Sequence, residues 1–278
     1  MIDLSIIIVN YNGEKYLPGC LDSLPKNPTK LNIEVIMVDN HSADNSVNLV
    51  KDNYPAVRII ELPENRGFCA GNNAGLKVYQ GRYALLLNND TIVKAGALEK
   101  MVAFLDTHPK IGVLGPKLLN TDGTPQHQGG LLAKKFWLSP VPVAVDYVLG
   151  AALLIRRQVI DIVGGLDEHY FFSNDDLDYC RMVRRAGWQV FFLPEAEIIH
   201  HGGYTIKKFN QKLFVEGFKG GLYFARKHYG FLIYWLYRLL LIIGLILAVI
   251  GSAIFYPFLK HKEVFRAYIQ ILHYALTA

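Results

Sequence analysis

Short apolar runs alternate with amphipathic stretches through the first half of the chain. Residues 4–9, 34–38, 57–61 and 83–87 are dense in β-branched or large apolar side chains and stop at polar positions, which predicts buried strands. Between and after them, 14–24, 44–53, 70–79 and 97–105 repeat apolar residues at helical spacing. Such alternation predicts an α/β domain, a mostly parallel sheet with helices on both faces. Polar clusters at 10–12, 39–42 and 88–90 fall just after strands. Open α/β sheets bind their ligands at those carboxyl ends.

The pattern then loosens. Residues 116–146, with Gly129, Gly130 and four prolines, read as one long loop, and loops of that length inside a domain are usually functional or mobile. Residues 147–155 read as a buried strand, 175–186 as a helix stopped by Gly187, and 188–193 as a further strand. From Phe209 the chain is amphipathic, with Phe214, Phe218, Leu222 and Ala225 among Lys212, Lys219, Arg226 and Lys227. Residues 239–256 carry no charge over 18 positions, near the lower bound for crossing a bilayer. Arg238 precedes that run, and Lys260, Lys262 and Arg266 follow it. The expected organisation is a catalytic domain over 1–230 and a hydrophobic, membrane-associated helical tail over 231–278.

Charge sharpens this division. The formal net charge is +5, but residues from Lys207 onward carry +8 and the first 206 carry −3. A neutral-to-acidic body with a basic tail points to a partner such as anionic lipid or nucleic acid at the tail. Cys20, Cys69 and Cys180 are odd in number and widely spaced, which gives no metal spacing or disulfide framework and favours a reducing compartment. The start, MIDLSIIIVNYNG, lacks a basic leader region and reads as a first strand rather than a signal peptide.

Five stretches carry chemistry. VNYN at 9–12 and VDN at 38–40 bring Asn10, Asn12, Asp39 and Asn40 to strand ends, with Ser42, Asp44 and Ser46 following. There a carboxylate can accept from a base N–H or ribose hydroxyl, although the same residue types also dominate ordinary turns. ENRGFCAGNNAG at 64–75 places Asn65, Gly67 and Asn72 where a helix begins, and its small residues permit close approach to a phosphate-bearing ligand. LLLNND at 85–90 ends a strand in Asn88, Asn89 and Asp90, an oxygen-rich tip suited to a hard cation or to a type I turn. In the stretch 164–188, Ser173 or Asn174 can cap a helix whose first turn holds Asp175 and Asp176. Adjacent helical positions do not share a face, so one of the two points at substrate, or both simply favour the helix dipole. IIHHGGYT at 198–205 offers His200 or His201 as a metal ligand.

In this order the five stretches resemble the family 2 glycosyltransferases of GT-A (Rossmann-like) fold, particularly the rhamnosyltransferase-like branch that builds bacterial surface polysaccharides. The resemblance covers residues 2–230. It implies that Asp39 contacts the nucleotide base and that Asn88, Asn89 and Asp90 stand where a DxD-type motif binds metal and diphosphate. Asn10, Asn12, Asn40, Asn65, Gly67 and Asn72 would complete the donor site. Asp176 matches the general base of the family's ED motif, with Asp175 replacing the usual glutamate, and His200 matches a histidine often followed by two glycines and a hydroxyl residue, which with Asp90 would hold the cation. With asparagines at 88 and 89, Asp90 is the sole anion of the metal motif, and phosphate oxygens would supply much of the shell.

The implied activity is inverting transfer of a hexosyl or rhamnosyl group, dependent on Mg²⁺ or Mn²⁺. The donor is a UDP-, dTDP- or GDP-sugar and the acceptor a hydroxyl of a lipid-linked glycan, with membrane lipid and no nucleic acid as partner. The expected location is the cytoplasmic face of the cell membrane, in cell-surface polysaccharide synthesis. Two rivals are weighed. A nucleotidyltransferase calls for a glycine-rich basic loop that VNYNGEKY does not supply. A catalytically inactive, membrane-bound nucleotide-sugar-binding module should have lost its acids, yet Asp90 and Asp176 are present.

Overall fold

The computed structural model describes residues 1–25, 30–128, 135–202, 210–254 and 262–277. They divide into two compact units, Met1–Glu168 with Asp175–Gly202, and His169–Asn174 with the C-terminal helices. The first unit opens with β1 (Leu4–Asn10), α1 (Leu17–Ser23), β2 (Ile33–Asp39), α2 (Ser46–Asn53), β3 (Arg58–Glu61), α3 (Gly67–Leu76) and β4 (Tyr83–Asn88). It continues with β5 (Thr91–Val93), α4 (Ala97–Thr107), β6 (Ile111–Leu119), a 3₁₀ turn at Phe136–Leu138 and β7 (Val143–Ala144). It closes with β8 (Ala152–Arg156), α5 (Arg157–Val163), α6 (Asp175–Arg185) and β9 (Gln189–His200).

One mixed sheet runs β3-β2-β1-β4-β8-β6-β9-β5, with β7 paired to β9. The half formed by β3, β2, β1 and β4 is parallel. Its register sets Asn10 opposite Asp39 and Val9 opposite Asn88, so the polar strand ends share one edge. Antiparallel β8 is inserted between β4 and β6, and β6 runs parallel to β9. Leu4, Ile6 and Ile8 of β1 pack with Leu17 and Leu21 of α1 and with Leu98 and Met101 of α4 in one core. The alternate residues Ile7 and Val9 face α3, where Gly75 and Gly71 leave no room for more: a Cβ would lie 2.4 Å from Ile7 Cγ2 and 2.7 Å from Val9 Cγ1. Those glycines of the 64–75 stretch therefore serve helix-on-sheet packing.

The expected 116–146 loop is partly strand. β6 extends to Leu119 despite reading IGVLGPKLL, because its punctuating residues have packing roles. A Cβ on Gly112 would meet Val159 Cγ2 at 2.6 Å and one on Gly115 would meet Val148 Cβ at 2.5 Å. Pro116 sits at a register shift against β9, where a missing donor does least harm to the ladder. Of the expected strand 147–155 only the end from Ala152 pairs, while Gly150 lies in the preceding turn. Gly129 and Gly130 lie outside the described residues. The three cysteines are buried free thiols, and burial pushes Cys20 up to about 11 and Cys180 up to about 12, so they act as packing groups.

The second unit contains α7 (Gln211–His228), α8 (Phe231–Ile254) and α9 (Lys262–Thr277). Asn210 caps α7 by accepting from Leu213 N at 3.2 Å. Val215 and Leu222 of α7, Leu245 of α8 and Ala267, Ile271 and Ala275 of α9 form one core. Helix α7, ahead of the expected boundary at 230, thus shares its apolar face with the tail. Helix α8 begins seven residues before Arg238, which lies inside it rather than at its end. Arg238 is only 6% exposed and donates from Nε to Ala275 O at 2.7 Å, satisfying a carbonyl at the α9 C-terminus. The stretch Phe231–Ala253 is long and apolar enough to cross a membrane, and most of it is uncovered: Phe231, Leu232, Leu236, Leu239, Leu240 and Leu247 are all exposed.

Candidate active site

The edge formed by the ends of β1, β2 and β4 carries a continuous polar network. Asn10, fully buried, donates from Nδ2 to Asp39 Oδ1 at 3.0 Å and to Ser42 Oγ at 3.1 Å. Ser42 donates back to Asp39 from both N (2.9 Å) and Oγ (2.6 Å). Asn12, in the left-handed region with φ 50°, donates its N–H to Ser42 Oγ and accepts from Ala43 N at 2.8 Å. The Asp39 carboxylate is therefore oriented by three protein donors before any ligand arrives. On the other side Asn89 Nδ2 donates to Asn10 Oδ1 at 2.8 Å, joining the β4 end to the same network.

A second set positions the loop into α3. Asn40 donates to Asn65 Oδ1 (3.0 Å) and Gly67 O (2.9 Å) and accepts from Arg66 N (3.0 Å). Asn65 Oδ1 also accepts from Gly67 N, and Gly67 has φ 87°, a conformation that favours glycine. Asn72 is buried inside α3, where its Nδ2 donates to Phe68 O at 3.0 Å. Asn40, Asn65, Gly67 and Asn72 thus shape the backbone, and Asp39, Asn10 and Asn12 stand beside them.

Asp90 and His200 meet next to this edge. His200 Nε2 lies 3.3 Å from Asp90 Oδ1 and 3.3 Å from Asn88 Nδ2. Its Nδ1 lies 2.8 Å from Gln126 Oε1, and Gln126 Nε2 is turned toward Asn120 Oδ1 and His200 O, both at 3.3 Å. An amide oxygen only accepts, so Nδ1 donates to Gln126 and Nε2 is left facing the Asp90 carboxylate and the Asn88 amide. Nε2 and the carboxylate oxygen are close enough to share a cation. Among the described residues no third His, Cys, Asp or Glu joins them, so any cation held here takes its remaining ligands from phosphate oxygens and water. The donor set fits a divalent ion on those terms. The His201 ring instead lies tilted against Tyr16, with centroids 5.4 Å apart. Gly203, Tyr204 and Thr205 lie outside the described residues.

The third element is the start of α6. Ser173 and Asn174 both have positive φ (67° and 68°), an uncommon pair of left-handed non-glycine residues that turns the chain sharply into the helix. Asp175, Asp176 and Asp178 all fall in the first turn. Asp176 Oδ2 accepts from Gly150 N at 3.1 Å and its Oδ1 from Leu177 N at 2.8 Å. Burial first, and the neighbouring Asp176 charge second, push the Asp175 carboxyl up to about 8. Burial raises Asp176 as well, but backbone N–H donors from Gly150 and Leu177 oppose it. Burial thus favours the protonated form of both, and the Gly150 and Leu177 N–H donors make Asp176 the more readily ionised of the two.

Gly13, Gln126 and Gly150 were not singled out by sequence reasoning. Gly150 reaches Asp176 across 26 positions and Gln126 reaches His200 across 74, so no spacing signal points to either. For Gly13 the signal was present, since VNYNG ends in it.

The chain from residue 5 to 142 matches the profile of "Glycosyl transferase family 2", and 142–215 matches "Glycosyltransferase like family 2". It is 25% identical over 237 residues to N-acetylglucosaminyl-diphospho-decaprenol L-rhamnosyltransferase of Mycobacterium tuberculosis, covering 73% of this chain and 77% of that protein. It is 27% identical over 219 residues to the O-antigen biosynthesis protein RfbC of Myxococcus xanthus, covering 71% of this chain and 17% of that one. Among solved structures, S. aureus TarS 1-349 superposes with a TM-score of 0.59 at 19% identity, over 82% of this chain and 74% of TarS. GalNAc-T7 with UDP, GalNAc and Mn²⁺ superposes with a TM-score of 0.60 at 17% identity, over 72% and 44%. With the mixed sheet, the polar strand ends and the acidic start of α6 in the family's order, the chain belongs to glycosyltransferase family 2, in its rhamnosyltransferase-like branch.

Proposed function

We propose that this protein transfers a hexosyl or rhamnosyl group from a nucleotide-sugar to a hydroxyl of a lipid-linked glycan, with inversion, in the assembly of a cell-surface polysaccharide. The observation that carries the reading is the buried acid pair at the start of α6, in which burial pushes Asp175 up to about 8 and Gly150 N–H aims the Asp176 carboxylate. A general base needs that poise. The donor is a UDP-, dTDP- or GDP-sugar; a TarS structure with UDP-GlcNAc and the name of the mycobacterial relative support the class.

Each part of the site has a role in this scheme. Asp39, oriented by Asn10 and Ser42, receives a donor N–H or O–H of the nucleoside. Asn88, Asn89 and Asp90 stand where the diphosphate lies, and Asp90 with His200 would hold Mg²⁺ or Mn²⁺. Such an ion supplies positive charge against the leaving diphosphate. Asp176 takes the proton of the acceptor hydroxyl as that oxygen bonds to the anomeric carbon, while the bond to the diphosphate oxygen breaks on the opposite face. Exposed apolar residues along α8 support attachment to a membrane, and the reading places the enzyme on its cytoplasmic face with a lipid-linked acceptor.

The test is Asp176→Asn, which keeps shape and removes the base. Transfer should fall by about 10²–10⁴-fold while nucleoside diphosphate affinity, read by calorimetry, holds. Near-wild-type transfer would refute the assignment.

A further inference from the structure

The C-terminal unit contains a groove of about 550 Å³, within the size range of small-ligand pockets. Phe172, Phe214, Phe218 and Tyr237 wall it, and Gly217 and Gly221 leave its floor open. Phe214 and Phe218 meet edge to face at 5.1 Å. None of the described lining residues is charged, and the amide of Asn174 at one end is engaged by Gly217 O at 2.9 Å. The neighbouring cavity between α7 and α9 differs: Lys212, Glu216 and Lys219 line it. An uncharged aromatic groove suits a hydrocarbon chain rather than a sugar or a phosphate.

Two features identify which chain. Tyr237 is 40% exposed on α8, so the groove is continuous with the uncovered apolar residues of that helix. Ser173 and Asn174 also belong to the groove, and Asn174 is bonded directly to Asp175 and stands two positions before Asp176. A chain held in the groove therefore lies against Asn174, the residue that is covalently joined to the acid pair. We propose that this groove binds the hydrocarbon chain of the lipid-linked acceptor and so determines which acceptors are used. The inference rests on the reading of Asp176 as the base of a transferase with such an acceptor.

Gly217→Leu tests it, because a Cβ there meets nothing within 4 Å and leucine favours a helix interior. The probe is a C15 alkyl diphosphate with a terminal diazirine, photolysed with the full chain in detergent and mapped by mass spectrometry. Adducts on Phe214, Phe218 or Tyr237 are expected, falling tenfold or more in Gly217→Leu. Unlabelled C15 alkyl diphosphate should compete and phosphatidylglycerol should not. Adducts confined to Leu232, Leu240 and their outward neighbours, adducts unchanged in the variant, or equal competition by the phospholipid would overturn the proposal. Should Gly217→Leu fail to fold, Tyr237→Arg places a charge at the mouth and must give the same loss. In transfer assays with one glycan on a C15 or a methyl aglycone, Gly217→Leu should raise KM tenfold for the first alone; an equal effect on both overturns the groove. Groove adducts without transfer to either acceptor would instead remove the transferase reading and leave the groove in place.

Discussion

Gly13 offers the sharpest test of the polar network at the strand ends. A methyl group there would sit 2.1 Å from Asn10 Oδ1 and 2.2 Å from Asn89 Nδ2, so both amides must withdraw by about 1 Å. Withdrawal breaks the 2.8 Å bond between them, and because Asn10 is rigid in its amide plane it also disturbs the bonds from Asn10 Nδ2 to Asp39 and Ser42. Leaving buried amide groups poorly paired costs about 1–3 kcal/mol, and forcing a methyl into a filled site costs about 1–3 kcal/mol more. The smaller backbone entropy of alanine in the unfolded chain returns about 0.4–1 kcal/mol. Gly13→Ala should therefore destabilise the protein by about 1–5 kcal/mol and weaken nucleoside diphosphate binding, since Asp39 loses its orientation. Gly19→Ala is the control: it lies in α1 with open space around it and should stabilise by about 0.5–1 kcal/mol. Urea unfolding followed by fluorescence and calorimetric titration with UDP read the two effects. If Gly13→Ala matched wild type in both, the network would be one that rearranges around a methyl, and the account of Asp39 would fail.

Three further outcomes are expected. The native Asp175 carboxyl holds its proton up to about pH 8 whereas the unfolded one releases it near 4, so its contribution to stability is full at low pH and is lost as pH rises through 8. Asp175→Asn, neutral throughout, should gain on wild type by about 1–3 kcal/mol between pH 5 and 7.5 in urea titrations; parallel pH profiles would contradict the buried proton. Gln126→Leu removes the acceptor on His200 Nδ1 and should weaken Mn²⁺-dependent UDP binding by about 10–100-fold, while metal-free UDP binding holds. Leu236→Lys with Leu240→Lys, at positions 58% and 60% exposed on α8, should release the protein from membranes without detergent and leave transfer to a soluble acceptor intact; unchanged pelleting would place the membrane contact elsewhere.

Local pattern determined much of this protein. Runs such as 4–9 and 83–87 are strands because their β-branched and large apolar residues suit a surface buried on both faces, and each stops at residues that favour turns. Once those strands are parallel, their polar ends share an edge, so Asn10, Asp39 and Asn88 were legible as neighbours before any coordinates. The acidic start of α6 was legible too, as a helix with its carboxylates in the first turn. Tertiary structure alone decided the rest. The end of β6 from Pro116 reads as part of a loop, and only the packing of Gly112 and Gly115 against Val159 and Val148 and the shifted register with β9 explain the strand. Arg238 reads as the end of an apolar run, yet it lies inside α8 because it satisfies a carbonyl of α9. Which of two adjacent aspartates ionises depends on Gly150 N–H, and which nitrogen of His200 is free depends on Gln126. Helical and strand periods are written into neighbouring residues, whereas desolvation and hydrogen-bond partners come from chain segments that only the packed sheet brings together.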